Sequence, residues 1–346
     1  MWESYYNLRT SLADQRTQGP TLLETLIILS LALHLLCVNV AAAGPLVCIW
    51  LDWQEGRGDA LAGRTASYLG QASLAALLAG GLLGLLIGWL SWTDSYAELW
   101  TRPMSYKAAW GVGEYVFSVV LAAGYVLWRR FASGRLRGLR YFVLLLSGTN
   151  LLYHFPFLFT IASDVFHLGG PDQPLSASEF RVWMARPDIL ARVVHVVVAS
   201  FAVTGVLLLG FSLRLLRDKM TAEDGQRVAR WGGYLALVPS LLQVPVGLWL
   251  ITALPAAWQT RALGGDLLTV GLLGTSVLLA LFMLQDLAAI TFGEVERKHL
   301  IRSMVLMLLV VLLMTGVLRR MRPPVQDDKF HVAEFARIPT GGTHAD

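Results

Sequence analysis

Charge is scarce in this chain of 346 residues. Asp, Glu, Lys and Arg supply 15% of it, against 55% apolar residues. A soluble globule of this size needs more polar surface than that. Cysteine is nearly missing: there are two, Cys37 and Cys48, in one apolar run. On a helix they would stand about 16 Å apart along the axis, too far to pair. That excludes a disulfide scaffold and leaves two buried thiols. Long polar stretches are missing too, so no loop can form a separate soluble domain. No secretory signal is expected. The start, "MWESYYNLRTSLADQRTQGP", is polar and mixed in charge, and the apolar run behind it is too long for a signal core.

What the chain has in abundance is apolar runs of membrane-crossing length. A transmembrane helix needs about 20 mostly apolar residues. Eight runs qualify, near 22–51, 66–92, 108–128, 139–162, 189–213, 231–254, 267–292 and 301–318. The predicted fold is all-α: an integral membrane bundle of about eight transmembrane helices. The expected organisation is a polar N-terminal segment (1–20), one polytopic domain (21–320) and a polar tail (321–346).

Net charge is +4, but the basic residues lie between the runs, where they set topology. Nucleic acid is therefore not an expected partner, whereas lipid is. The loops "WRRFASGRLRGLR" (128–140) and "RLLRDKMTAEDGQRVAR" (214–230) carry five basic residues each and should be cytoplasmic. Simple alternation then puts the N-terminus outside, along with the loops after the second, fourth and sixth runs. The loop near 163–188 is expected to be irregular or to hold a short surface helix. "RRMR" (319–322) resists: alternation leaves it outside, against the rule, unless a late span is miscounted. Gly80, Gly84 and Gly88 form a small-residue stripe that reads as close helix packing.

Ionisable groups inside membrane spans are rare and usually functional. Four stand out: His34, Glu114, His154 and His195. On the expected topology all four fall in the outer half of their spans. Beyond His195 the same face carries Ala199, Ala202 and Gly205, and around His34 it carries Ser30, Cys37 and Ala41. A histidine flanked by small residues leaves a slot that suits a flat macrocycle, with imidazole nitrogen on iron. Arg192, one turn outward of His195, is placed to meet a haem propionate. Pro156 follows His154 and withholds a donor from the carbonyl of Leu152, so a kink is expected there. Each histidine also has a plainer reading, as a packed side chain bonded to a neighbouring helix. Glu114 divides evenly between a packed neutral acid and a proton-handling group. His167, His299, His331 and His344 are expected in solvated loops or tails.

These pieces resemble subunit I of the cytochrome bd quinol oxidases. "RVVHVVVASFAVTGVLLLGFSLRLLR" (192–217) is similar to that family's fifth helix, with its haem-ligand histidine and Val-Thr-Gly. "ALHLLCVNVAAAGPL" (32–46) resembles the first helix, "GEYVFSVVLAAGYVLW" (113–128) the third with its glutamate, and "SGTNLLYHFPFLF" (147–159) the fourth. The resemblance covers roughly residues 20–240. It implies one or more b-type haems, with His34 and His195 as iron ligands and Glu114 as a proton-handling catalytic group. His154 is not a family ligand and stands as a candidate replacement axial partner. The chain departs from the family in three places. The long quinol-binding loop after the sixth helix is replaced by "PAAWQTRALGG", no Gly-Arg-Gln occurs, and Met283 lacks the flanking arginine of the family's methionine ligand.

The resulting expectation is an inner-membrane electron-transfer protein. It would pass electrons from quinol or an external carrier toward an acceptor such as oxygen, with other membrane or cytochrome subunits as partners. The competing expectation is a non-enzymatic anchor or electron-wire subunit. A transporter with histidines in its permeation path is the third reading, and it predicts a colourless protein.

Overall fold

The computed structural model describes residues 21–131, 136–171, 173–217 and 219–322. His331, His344 and the two polar terminal segments lie outside this range, apart from Met321 and Arg322. The described residues contain helices and no strand. Eight helices are long and apolar enough to cross a membrane, and this is a multi-pass membrane protein. They are α1 (Leu22–Gly56), α2 (Ala60–Leu90), α4 (Ser105–Phe131), α5 (Arg137–Leu168), α7 (Pro187–Leu215), α8 (Ala222–Ala253), α10 (Leu267–Phe292) and α11 (Arg297–Met321). Three short helices lie between them: α3 (Asp94–Thr101), α6 (Ala177–Met184) and α9 (Ala256–Thr260).

Local chemistry fixes where the helices start. Thr21 and Glu24 form a reciprocal capping box at α1, as do Ser176 and Glu179 at α6. Asp59 caps α2 and Asp266 caps α10 through their carboxylates, satisfying amides that the first turn leaves open. Pro187 opens α7, where a missing N–H costs nothing.

Consecutive spans pack as antiparallel hairpins: α1 with α2, α4 with α5, α7 with α8, α10 with α11. The first four spans form one half of the bundle and the last four the other. α1 and α7 run side by side at the centre and join the halves. Close approach is built in where α7 crosses α8. A Cβ on Gly205 would sit 2.5 Å from the Ala236 amide and 2.7 Å from the Gly232 carbonyl. Two of the three stripe glycines behave as expected: a Cβ on Gly80 would press Val38 at 2.9 Å and one on Gly84 would press His34 at 3.2 Å, while Gly88 faces open space.

Several expectations need correction. α5 continues past Pro156 to Leu168, beyond the end of the apolar run near 162, so the loop after it is shorter than expected. Asp164 stays inside that helix because its charge is paired. His167 is not in a loop; it ends α5, with its ring edge-on to Trp258. His299 is not solvated: its Nδ1 lies 2.7 Å from Oδ1 of the buried Asp286. The loop arginines do more than set topology, since Arg129 and Arg140 are drawn into the bundle by Asp52.

The "RRMR" puzzle resolves in favour of eight spans. Arg320 reaches Asp266 at 3.0 Å, and Met321 packs with Trp258, Leu254 and Leu168. The end of α11 therefore lies at the same end of the bundle as the loops after α5 and α8. Asp266 pairs with one of the three arginines that alternation left there.

Candidate functional site

One hydrogen bond sets the level of the two central histidines. Ser200 on α7 donates to Asn39 Oδ1 on α1 at 2.7 Å. His34 and His195 each lie five residues before that contact, hence about 7.5 Å toward the outer end. They stand at one depth on parallel neighbours, but they face apart. His34 turns to α2, where its Nδ1 lies 2.8 Å from the Gly80 carbonyl. An Nδ1–H donated to a carbonyl fixes the tautomer with a lone pair on Nε2, the form that binds metal.

His195 meets α8 through its backbone. Gln243 donates its amide to the His195 carbonyl at 2.9 Å. The His195 Nδ1 is buried with no hydrogen-bond partner, and so is the Gln243 Oε1. Each such unmet polar atom costs about 1–3 kcal/mol. The small-residue slot expected beyond His195 is partly filled. The α8 backbone occupies the space beside Gly205, and Ala202 is packed in the core with Met283 and Leu287. Around His34, Ala41 is likewise covered, by Leu77, Ala122 and Leu151.

Arg192 is at the expected position, one turn outward of His195, and four of its five N–H groups are engaged. It grips Asp164 with two bonds of 2.5 and 2.7 Å, Asp188 Oδ2 at 2.7 Å and the Asp188 carbonyl at 3.0 Å. Asp164 has no exposure and Arg192 only 8%. Arg186 closes the group through Asp188 at 3.0 Å. This network ties α5 to α7 at the outer end.

Glu114 is half-buried on α4, with no described side chain bonded to its carboxylate. Its backbone carbonyl accepts from Asn150, which also donates to Ser118 at 2.8 Å. His154, one turn beyond Asn150, is exposed on the outside of α5 and stacks edge-on with Tyr153. The structure therefore brings His34 and His195 to one level, places Glu114 on a neighbouring helix, and leaves His154 exposed. Among the described residues no three His, Cys, Asp or Glu side chains gather as a metal cluster.

Sequence reasoning missed several polar groups. At the inner end Asp52, fully buried, meets Arg129, the Tyr125 hydroxyl at 3.2 Å and Arg140 at 3.6 Å. Arg129 also holds Glu55 at 2.8 Å. Asp286 is gripped by Arg302 and His299. Acids set within apolar runs, "IWLDW" and "MLQDL", were the available signal for both. Gln243 gave no signal beyond its place in a span.

No family model and no curated protein matches the chain. Its structure is similar to a chain of the bd oxidase from Geobacillus thermodenitrificans, with a TM-score of 0.70 at 13% identity, over 89% of this chain and 88% of that one. The chain is thus a multi-pass membrane protein with the bd oxidase fold.

Proposed function

We propose that this protein is a membrane haem-binding electron-transfer protein of the bd oxidase type, seated in the inner membrane. The observation that carries the reading is His195: an imidazole whose buried Nδ1 has no partner, at a turn whose carbonyl accepts from Gln243, an amide with its own Oε1 unpartnered. A haem fits that deficit. His195 would ligate its iron, and His34, held by the Gly80 carbonyl with Nε2 available, would ligate a second haem. Bound haem supplies reversible one-electron chemistry.

The rest is work for the chain's own residues. Glu114 would take up or release a proton at its carboxylate as nearby charge changes, with Asn150 and Ser118 holding α4 against α5 beside it. His154 would not serve as an axial partner for either site from its exposed position. Met283, buried in the core near Ala202 and Val203, serves packing. Electrons would come from quinol or an external carrier and pass toward an acceptor such as oxygen, in company with other membrane subunits.

A second reading draws support from Arg192. Its charge is matched within the protein by Asp164 and Asp188, as it would be in a subunit that keeps the fold for anchoring. Purifying the protein from haem-replete cells separates the two. A Soret band with reduced peaks of b-type haem is expected. A colourless preparation refutes electron transfer and leaves the anchor or the transporter.

A further inference from the structure

Beside the Arg192 network stands a guanidinium with no counterpart. The Nε of Arg322, just past the last turn of α11, is buried and has no hydrogen-bond partner. Burial pushes this guanidinium down to about 10; Arg192 adds to that effect, Asp164 opposes it and Arg319 adds again. Three of the other cations nearby have acids: Arg192 holds Asp164 and Asp188, Arg186 holds Asp188, and Arg320 holds Asp266. Arg319 has no ion pair among the described residues, but it is exposed. Asp164 has both oxygens bonded to Arg192. Arg322 is therefore left without an anion, and a buried cation without an anion is costly.

Packing shows where that anion would sit. Met321 and Leu318 hold the end of α11 against Trp258, Leu254 and Leu168, and Arg192 lies over the same Trp258 ring at 5.7 Å. Arg322 is thus close to the residue that stands one turn outward of His195. Facing it are Arg192 and Asp164 from α7 and α5, with Arg319 on its own helix.

We propose that Arg322, rather than Arg192, is the cation that receives a carboxylate of the haem held through His195. The inference rests on the haem reading above. Arg192 has the better sequence position but spends four of its five N–H groups on two acids that already match its charge, whereas among the described residues the Arg322 Nε has no acceptor and its guanidinium no ion-pair partner.

The test is a redox titration of the full-length protein, followed at the absorbance component that His195→Ala removes. A cation beside the haem disfavours the oxidised, more positive centre. Arg322→Gln should then lower the midpoint by about a tenfold change in the reduction equilibrium, about 59 mV for one electron. Arg322→Lys should stay within about twofold of wild type, as should Lys298→Gln at the inner end. A haem-loaded Arg322→Gln protein with an unchanged midpoint overturns the proposal and leaves the haem reading standing. A wild-type protein without haem overturns both. If Arg322→Gln does not fold, Arg322→Lys carries the test. Its midpoint should fall between about pH 8 and 9, where burial brings the ammonium to deprotonate, while the wild-type guanidinium, which holds its proton up to about 10, keeps the midpoint level; identical pH profiles over that range overturn the proposal.

Discussion

Asp164 and Arg192 illustrate how a single side chain decides the chemistry of this site. Asp164 has no solvent exposure and two short bonds to one guanidinium. Removing the guanidinium strands a buried carboxylate, which costs about 3–5 kcal/mol. Arg192→Ala should therefore lower the unfolding midpoint in detergent far more than Arg102→Ala, whose partner Glu98 is 3.5 Å away and exposed. Surface pairs of that kind are worth about 0–1 kcal/mol. Equal losses would mean that Asp164 finds water or another cation. Arg192 was legible as a basic residue beside His195, because that needs only helical spacing. Its partner was not. Asp164 lies 28 residues away, at the end of a run that hydropathy alone cuts short. The same blindness hid Asp52 and Arg129, which are 77 residues apart. Local sequence shows that a charge is present in a span and stays silent about which helix answers it.

At the scale of elements, two devices can be tested. The first is the α7–α8 crossing. A methyl on Gly205 would meet backbone atoms at 2.5 and 2.7 Å, and backbone cannot swing aside as a side chain can. Gly205→Ala should cost about 1–3 kcal/mol or more, whereas Gly247→Ala, facing open space, should leave the unfolding midpoint unchanged. The second is the Asp266 cap. Its carboxylate accepts from the Leu268 amide at 3.2 Å, from Thr269 and from Arg320. Partial burial pushes the carboxyl up, but the Thr269 and Arg320 hydrogen bonds with the Arg320 charge outweigh it, so the group titrates below its usual range. A depressed carboxyl stabilises the fold fully above its unfolded pKa, near 4, and loses that stabilisation as pH falls through the folded value. Asp266→Ala should cost about 1 kcal/mol from pH 8 to 5, and the gap from wild type should close below about pH 4. A gap that persists in acid would show that the cap does not depend on charge. Such caps were readable, since Asp before an apolar run is a local signal. The helix ends that lie beyond buried acids, Leu168 after Asp164 and Gly56 after Asp52, were not.

For the whole molecule, the hydropathy pattern was enough to give eight spans. Lipid imposes a length on each helix, and every run met it. The resemblance in spans one, three, four and five agrees with the fold likeness at 13% identity, because helix order persists where side chains drift. What sequence could not supply was the relative rotation of the helices, which aims His34 at α2 and sets the His195 carbonyl against Gln243 of α8. The connection after α8 carries only α9 and one further irregular turn before Asp266. With no long loop there to embrace a quinol, the isolated protein should oxidise soluble quinol slowly or not at all. Rapid, inhibitor-sensitive turnover would place a quinol site elsewhere on the bundle. The claim on which all of this turns is that His195 holds iron, and the visible spectrum of His195→Ala tests it most directly. The account predicts that the low-spin haem component disappears while the protein stays folded in the membrane, with its helical circular dichroism intact. An unaltered spectrum in that variant would contradict it and leave His195 as a packed core histidine.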